Sequence, residues 1–167
     1  MGRDKALAEL DGKKLLDRQI KKGEPFFEEV VLLRGVNRYR VENRQLADRF
    51  ENAGPLSGLL EALMDGAAKS LKYIAIIPVD LPGISELTIR KLAVSEPMKT
   101  EDAILLSSGE DLQPLVGVYS VQLVDKLTRF LEAGNRMVFA FANGLNYAKI
   151  EVDRAELKNI NHPEDLE

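Results

Sequence analysis

The sequence contains no cysteine. That excludes disulfides, thiolate metal sites and cysteine nucleophiles, and it suits a reducing compartment such as the cytoplasm. No apolar run approaches the ~20 residues that a membrane-spanning helix needs. The first ten residues, MGRDKALAEL, carry charge where the apolar core of a signal peptide would lie. Basic residues do not dominate any stretch, and the net charge is −4, so duplex nucleic acid is not an expected partner. With one histidine, His162, no Ser-His-Asp arrangement suggests itself. His162 precedes Pro163 where a helix cap belongs, which favours a structural or surface role. Repeats, low-complexity tracts and interdomain linkers are also missing.

What is present is an ordinary apolar fraction, 45%, in a length of 167 residues that suits one domain spanning the whole chain. The apolar pattern alternates between helical and strand periods. KKLLDRQIKK places Leu15, Leu16 and Ile20 on one helical side. EVVLL, from Glu29 to Leu33, reads as a strand buried on both faces, and so does YIAIIPV, from Tyr73 to Val79. The segment between EVVLL and Pro55 is polar and lacks a strong period. Pro55 suits the first turn of a helix carrying Leu56, Leu59, Leu60, Leu63, Met64 and Ala67 at helical spacing. SELTIRKLAV reads as a helix capped by Ser85. DAILLSS and PLVGVYS read as strands joined by a turn, GEDLQ. VQLVDKLTRFLEAG is a helix closed by Gly134. NRMVFAFAN is a short helix, YAKIEV a strand, and PEDLE the start of a last helix.

Helices alternating with buried strands imply an α/β fold with a mostly parallel sheet covered on both faces. Such sheets bind ligands beyond the C-terminal ends of their strands. This directs attention to Asn37, Asp80, Ser107 to Asp111, and Asn159 to Asn161. Asp80 directly follows YIAIIPV. A carboxylate there can hold Mg²⁺, which takes oxygen ligands and bridges to phosphates; it can equally cap the turn before Leu81 and Pro82. Lys5 and Arg3 form a cationic turn that could grip a triphosphate, or could be a solvated terminus. Asn37 and Asp48 could read a base or sugar, or make local turns.

In combination these segments resemble the molybdenum cofactor guanylyltransferases. MGRDKALAELDGKKLL is similar to the second half of that family's opening signature. GPLSGLLEAL resembles its Gly-Pro-Leu-x-Gly-Leu helix start, and IIPVDLPGI its metal-binding Pro-x-Asp-x-Pro turn. LQPLVGVYS, LEAGNRMVFAF and NINHPEDL follow in the family's order.

The resemblance implies a three-layer, Rossmann-like nucleotidyltransferase fold. It implies an enzyme that transfers GMP from GTP to the terminal phosphate of molybdopterin, releases pyrophosphate and uses Mg²⁺. It further implies that Lys5 contacts nucleotide phosphate, that Asn37 and Asp48 contact the guanosine part, and that Asp80 holds the metal. Asn159 and Asn161 fall near the active site and Arg136 on the molybdopterin side. Beyond GTP and the molybdopterin cofactor, recipient molybdoenzymes or their chaperones are the implied partners.

The family's Leu-x-Gly-Gly-x-Ser-x-Arg segment is missing ahead of Met1. The expectations are therefore a sheet without its first strand, a gap between EVVLL and YIAIIPV, and poor GTP binding by the chain as it stands. Rival readings are a nucleotidyltransferase using CTP or another phosphorylated acceptor, and a non-catalytic protein that binds nucleotide or a partner.

Overall fold

The computed structural model of the chain describes residues 4–35, 37–50 and 54–160. A single 3₁₀ turn, Lys5–Leu7, is capped by the Asp4 side chain, which accepts from the Ala6 N–H. Next comes a small hairpin of β1 (Glu9–Leu10) and β2 (Lys13–Lys14). Its turn residues Asp11 and Gly12 both have positive φ, the conformation that an Asp-Gly pair favours in a tight hairpin. Helix α1 (Leu15–Gly23) buries Leu15, Leu16 and Ile20, as its spacing predicts.

The strand expected at Glu29 to Leu33 is β3, displaced to Leu32–Arg34. It pairs in parallel with β4 (Gln45–Ala47), which lies in the segment where the sequence shows no period. Helix α2 (Pro55–Ala68) follows, with Leu56, Leu59, Leu60 and Leu63 essentially inaccessible to solvent. Then come β5 (Tyr73–Ile76) and α3 (Glu86–Val94), whose Ser85 cap accepts from the Thr88 N–H. Strand β6 (Ala103–Ser108) turns directly into β7 (Asp111–Ser120), which takes in most of the expected turn. Helices α4 (Val124–Glu132) and α5 (Val138–Asn143) and strand β8 (Tyr147–Glu151) complete the main elements. A 3₁₀ turn, Arg154–Leu157, follows β8. The expected last helix at PEDLE lies outside the described residues.

The larger sheet has the order β5-β7-β6-β8. Strand β7 runs antiparallel to both of its neighbours, while β6 and β8 are parallel, so β5, β6 and β8 share one direction. One face carries a core built by α2, α4 and α5, with Leu56, Leu60, Leu63, Tyr119, Leu127 and Phe141. The other packs α3 and the Arg154–Leu157 turn, through Ile89, Leu92, Ile104, Leu106 and Leu157. These are the three layers. Each fully buried leucine contributes about 1.5–3 kcal/mol.

Among the described residues, β3 and β5 share no pairing and lie in separate sheets. Strand β3 turns Leu32 and Arg34 toward β4, since the Leu32 N–H donates to Arg44 and the Arg34 carbonyl accepts from Asp48. Leu33 therefore directs its backbone groups to the opposite edge. Strand β5 is the sheet's other margin. All four of its residues are only half-buried, a correction to the reading of YIAIIPV as buried on both faces. The apolar run suits a strand with two neighbours, but among the described residues β5 pairs only with β7. Helix α2 packs against β3, β4 and β5 and so spans the seam.

Gly117 sets the spacing within the larger sheet. A Cβ there would lie 2.2 Å from the Ile104 carbonyl oxygen. Backbone cannot yield cheaply, so Gly117→Ala should destabilise the protein by about 1–3 kcal/mol or more in urea unfolding. An unchanged midpoint would contradict that close approach.

Candidate functional site

The N-terminal turn places two charged neighbours at the end of the seam. Lys5 Nζ donates to the Asp80 carboxylate at 3.3 Å, with both side chains partly exposed. The adjacent Asp4 accepts from Asn37 Nδ2 and from the Tyr39 hydroxyl, each at 2.8 Å. The turn thus joins the loop after β5, which carries Asp80, to the loop after β3, which carries Asn37 and Tyr39. Burial, reinforced by the bond to Asp4, pushes the Tyr39 hydroxyl up to about 12.

Asp48 follows β4, and its N–H donates to the Arg34 carbonyl. Its carboxylate lies beside Gly35 and Gly58, 3.9 Å and 3.5 Å from where their Cβ atoms would stand. Asn37 and Asp48 therefore flank the same C-terminal end of β3, at the N-terminal turn of α2. Asp48 is exposed as a residue, yet desolvation of its carboxyl raises its pKa. Glu61 adds to the rise and Arg34 opposes it. The N-terminus of α2 supplies a partial positive charge here, which suits an anion.

The Asp80 turn is held from beneath by α1. Gln19 Nε2 donates to the Pro78 and Leu81 carbonyls, at 3.0 and 2.9 Å, which flank Asp80 in sequence. Lys22 Nζ donates to the Pro82 and Ile84 carbonyls, at 2.6 and 2.8 Å. Burial, followed by the charge of Arg18, lowers the Lys22 pKa; Glu86 and Glu156 oppose this. The Asp80 carbonyl accepts from the Ile160 N–H at 2.9 Å, which brings the neighbouring Asn159 close to the metal-binding candidate. Asn161 and His162 lie outside the described residues. Arg136 sits apart from this group: its guanidinium donates to the Leu131 and Asn135 carbonyls and closes the C-terminus of α4.

Sequence reasoning missed Asp4, Tyr39, Gln19 and Lys22. Gln19 and Lys22 had a signal: they continue the stripe of Leu15 at positions i+4 and i+7, so they face inward. Asp4 and Tyr39 had none, because their meeting depends on tertiary structure.

A carboxylate, an ammonium and a helix N-terminus thus gather near the end of the seam, a set of charges that suits a phosphate group. The comparisons agree, and the chain belongs to the family described as MobA-like NTP transferase domain, whose model matches residues 1–149. A probable molybdenum cofactor guanylyltransferase of Opitutus terrae is 31% identical over 180 residues, covering 99% of this chain and 86% of that protein. Molybdopterin-guanine dinucleotide biosynthesis protein A from Archaeoglobus fulgidus superposes with a TM-score of 0.75 at 22% identity, over 99% of this chain and 88% of that one. The 2-C-methyl-D-erythritol 4-phosphate cytidylyltransferase of Thermus thermophilus shares the fold, with a TM-score of 0.70, 16% identity, and coverage of 97% and 90%.

Two predictions follow from this geometry. Gln19→Leu and Lys22→Met should each destabilise by about 1–3 kcal/mol, because each removes a side-chain donor shared by two carbonyls. Amide exchange should quicken across residues 78–84 in both variants. Unchanged exchange there would show that α1 does not hold the turn.

The second concerns pH. The fold disfavours the charged form of Asp48, so its raised pKa favours folding below the ordinary aspartate range, and that advantage is lost as pH rises through the folded pKa. Asp48→Asn should thus be at least as stable as the parent at pH 7, with its relative advantage shrinking toward acid. Thermal melting across pH checks this, and a clear loss at pH 7 would contradict it.

Proposed function

We propose that the chain transfers GMP from GTP to the terminal phosphate of the molybdopterin cofactor, with release of pyrophosphate. The observation that carries this reading is the Lys5–Asp80 pair at the end of β5, in a chain of this family. The named activity of the Opitutus relative supports GTP as donor.

The chemistry is a substitution at the α-phosphorus of GTP. An oxygen of the acceptor phosphate forms the new P–O bond. The bond from the α-phosphorus to the oxygen shared with the β-phosphorus breaks, and the electron pair leaves with pyrophosphate. No covalent enzyme intermediate is required, and catalysis is mostly positioning and charge neutralisation. The ammonium of Lys5 and the N-terminus of α2 lie where phosphate charge would gather. Asn37 and Asp48, on the β3 side, are placed to take the guanosine part, since a carboxylate accepts from the donors of a guanine ring. Asn159 precedes Ile160, whose N–H bonds the Asp80 carbonyl, so it belongs to the same region.

Asp80 would hold Mg²⁺. No cluster of three or more His, Cys, Asp or Glu that could hold a metal occurs among the described residues. One carboxylate fits an ion that arrives with the triphosphate and keeps phosphate and water as its other ligands. When bound, the ion supplies neutralisation of triphosphate charge.

We place the reaction in the cytoplasm, with molybdoenzymes or their chaperones receiving the product. Among the described residues, no helix is long and apolar enough to cross a membrane.

The test is release of pyrophosphate at millimolar Mg²⁺ and nucleotide with molybdopterin as acceptor. Asp80→Asn should reduce turnover by at least a hundredfold while leaving the melting temperature close to the parent's. The lost contact with Lys5 is partly exposed and worth about 0–1 kcal/mol. GTP should outperform CTP, and Asp48→Ala should weaken GTP more than CTP. Near-normal turnover by Asp80→Asn would remove Asp80 from the metal role, and a preference for CTP would overturn the guanylyl assignment.

A further inference from the structure

The Asp4 carboxylate gathers more donors than the turn it caps requires. Its Oδ1 accepts from the Ala6 N–H at 3.0 Å, and its Oδ2 accepts from both Asn37 Nδ2 and the Tyr39 hydroxyl at 2.8 Å. Capping explains the first of these bonds. The other two reach across more than thirty residues to the loop after β3.

That loop is itself held. The Tyr39 N–H donates to Gln45 Oε1 at 3.0 Å, and the Tyr39 carbonyl accepts from Gln45 Nε2 at 2.8 Å, so one side-chain amide of β4 pins both polar groups of the Tyr39 backbone. The Tyr39 side chain packs against the cluster of Ala6, Leu16, Ile20 and Leu32. Its hydroxyl, with a pKa pushed up to about 12, stays protonated near neutral pH and remains a donor.

The consequence falls on Asn37. A carboxylate accepts and does not donate, so it is the nitrogen of the Asn37 amide that faces Asp4. The planar amide then carries Oδ1 on its other side. Asn37 is exposed, and no described residue donates to that oxygen. The Asp48 carboxylate, flanking the same end of β3, likewise receives no hydrogen bond from a described residue. Two acceptor groups are left open on the β3 side of the site.

We propose that Asp4 is a positioning residue for base selection. Held by Tyr39, it fixes the Asn37 amide with Oδ1 outward, so that Asn37 and Asp48 meet the base with acceptors. Guanine matches such a pair, because its ring N–H and its 2-amino group are adjacent donors. Cytosine and adenine each set an acceptor ring nitrogen beside their one amino group, and that nitrogen would face an oxygen with no proton between them. A polar mismatch of this kind discriminates more strongly than a lost apolar contact. The inference rests on the guanylyltransferase reading for its ligand. It goes beyond that reading by assigning selectivity to a pair, Asp4 and Tyr39, that acts through Asn37.

The test is titration of the chain with GTP, inosine triphosphate or CTP in the presence of Mg²⁺, read as ratios of dissociation constants. The parent should bind GTP most tightly and CTP least. Inosine triphosphate should fall between them, since its base keeps the ring N–H and lacks the 2-amino group. Asp4→Ala should cut the preference for GTP over CTP about tenfold, and Tyr39→Phe about threefold, as expected for the loss of one or part of one hydrogen bond. Asp4→Asn keeps an acceptor oxygen and should lie between Asp4→Ala and the parent. In an Asn37→Ala background, Asp4→Ala should leave the ratio where it is. A purely structural role would weaken all three nucleotides alike. A ratio unchanged by both Asp4→Ala and Tyr39→Phe therefore overturns the inference, as does a parent that binds CTP as tightly as GTP. The pyrophosphate assay separates this from the functional reading. If guanylyl transfer proceeds while the ratio ignores both substitutions, the inference fails and the reading stands. If GTP is preferred and the ratio responds but no transfer occurs, the reading fails and the inference stands.

Discussion

The arrangement depends on one seam. Strands β3 and β5 belong to different sheets, and no described strand joins them. Something must hold the two sheets in register, because the proposed site draws Asn37 and Asp48 from beside one and Asp80 from beside the other. Helix α2 does so on one face, packing against β3, β4 and β5. The N-terminal turn does so at the strand ends, where Asp4 engages Asn37 and Tyr39 while its neighbour Lys5 reaches Asp80.

Magnitudes decide which of these contacts carries stability. The Lys5–Asp80 pair is partly exposed, so screening limits its worth to about 0–1 kcal/mol. The apolar contacts beneath it matter more. Ala6, Leu16, Ile20 and Leu32 bury together, and they fix the turn to α1 and β3. Helix α1 then reaches under the Asp80 turn through Gln19 and Lys22. The polar contacts at the surface thus orient groups that the apolar cluster has already brought close. This division suits a phosphate site: Lys5 and Asp80 are held near one another without being locked, and either can exchange its partner for an incoming anion or cation.

Much of this was legible in the sequence. The helices at Leu15, Pro55, Glu86 and Val124 came from apolar spacing and caps, which are local signals. Asp80 was legible because a strand period ended on it at an edge where α/β sheets bind ligands. Strand β4 was not, because three residues, Gln45–Ala47, are too few to show a period and form only by pairing with β3. The exposure of β5 was hidden for a related reason: side-chain pattern reports the faces of a strand, while exposure at its edge depends on a missing neighbour. The partnership of Asp4 with Asn37 and Tyr39 spans more than thirty residues and leaves no periodic trace. Arg136 shows the converse. The family resemblance put it on the acceptor side, and only the tertiary structure shows its guanidinium donating to the Leu131 and Asn135 carbonyls at the end of α4.

The central claim is that nucleotide phosphate binds at the seam's end, between the loops after β3 and β5. The most direct measurement is a ¹H–¹⁵N correlation spectrum of the chain titrated with GTP and Mg²⁺ into the millimolar range, where weak binding still registers. The account predicts saturable shifts concentrated at Lys5, Asn37, Asp48, Gly58, Asp80 and Ile160. Shifts that bypass these residues and gather at the opposite edge of the sheet, around Lys72 and Asp102, would contradict it.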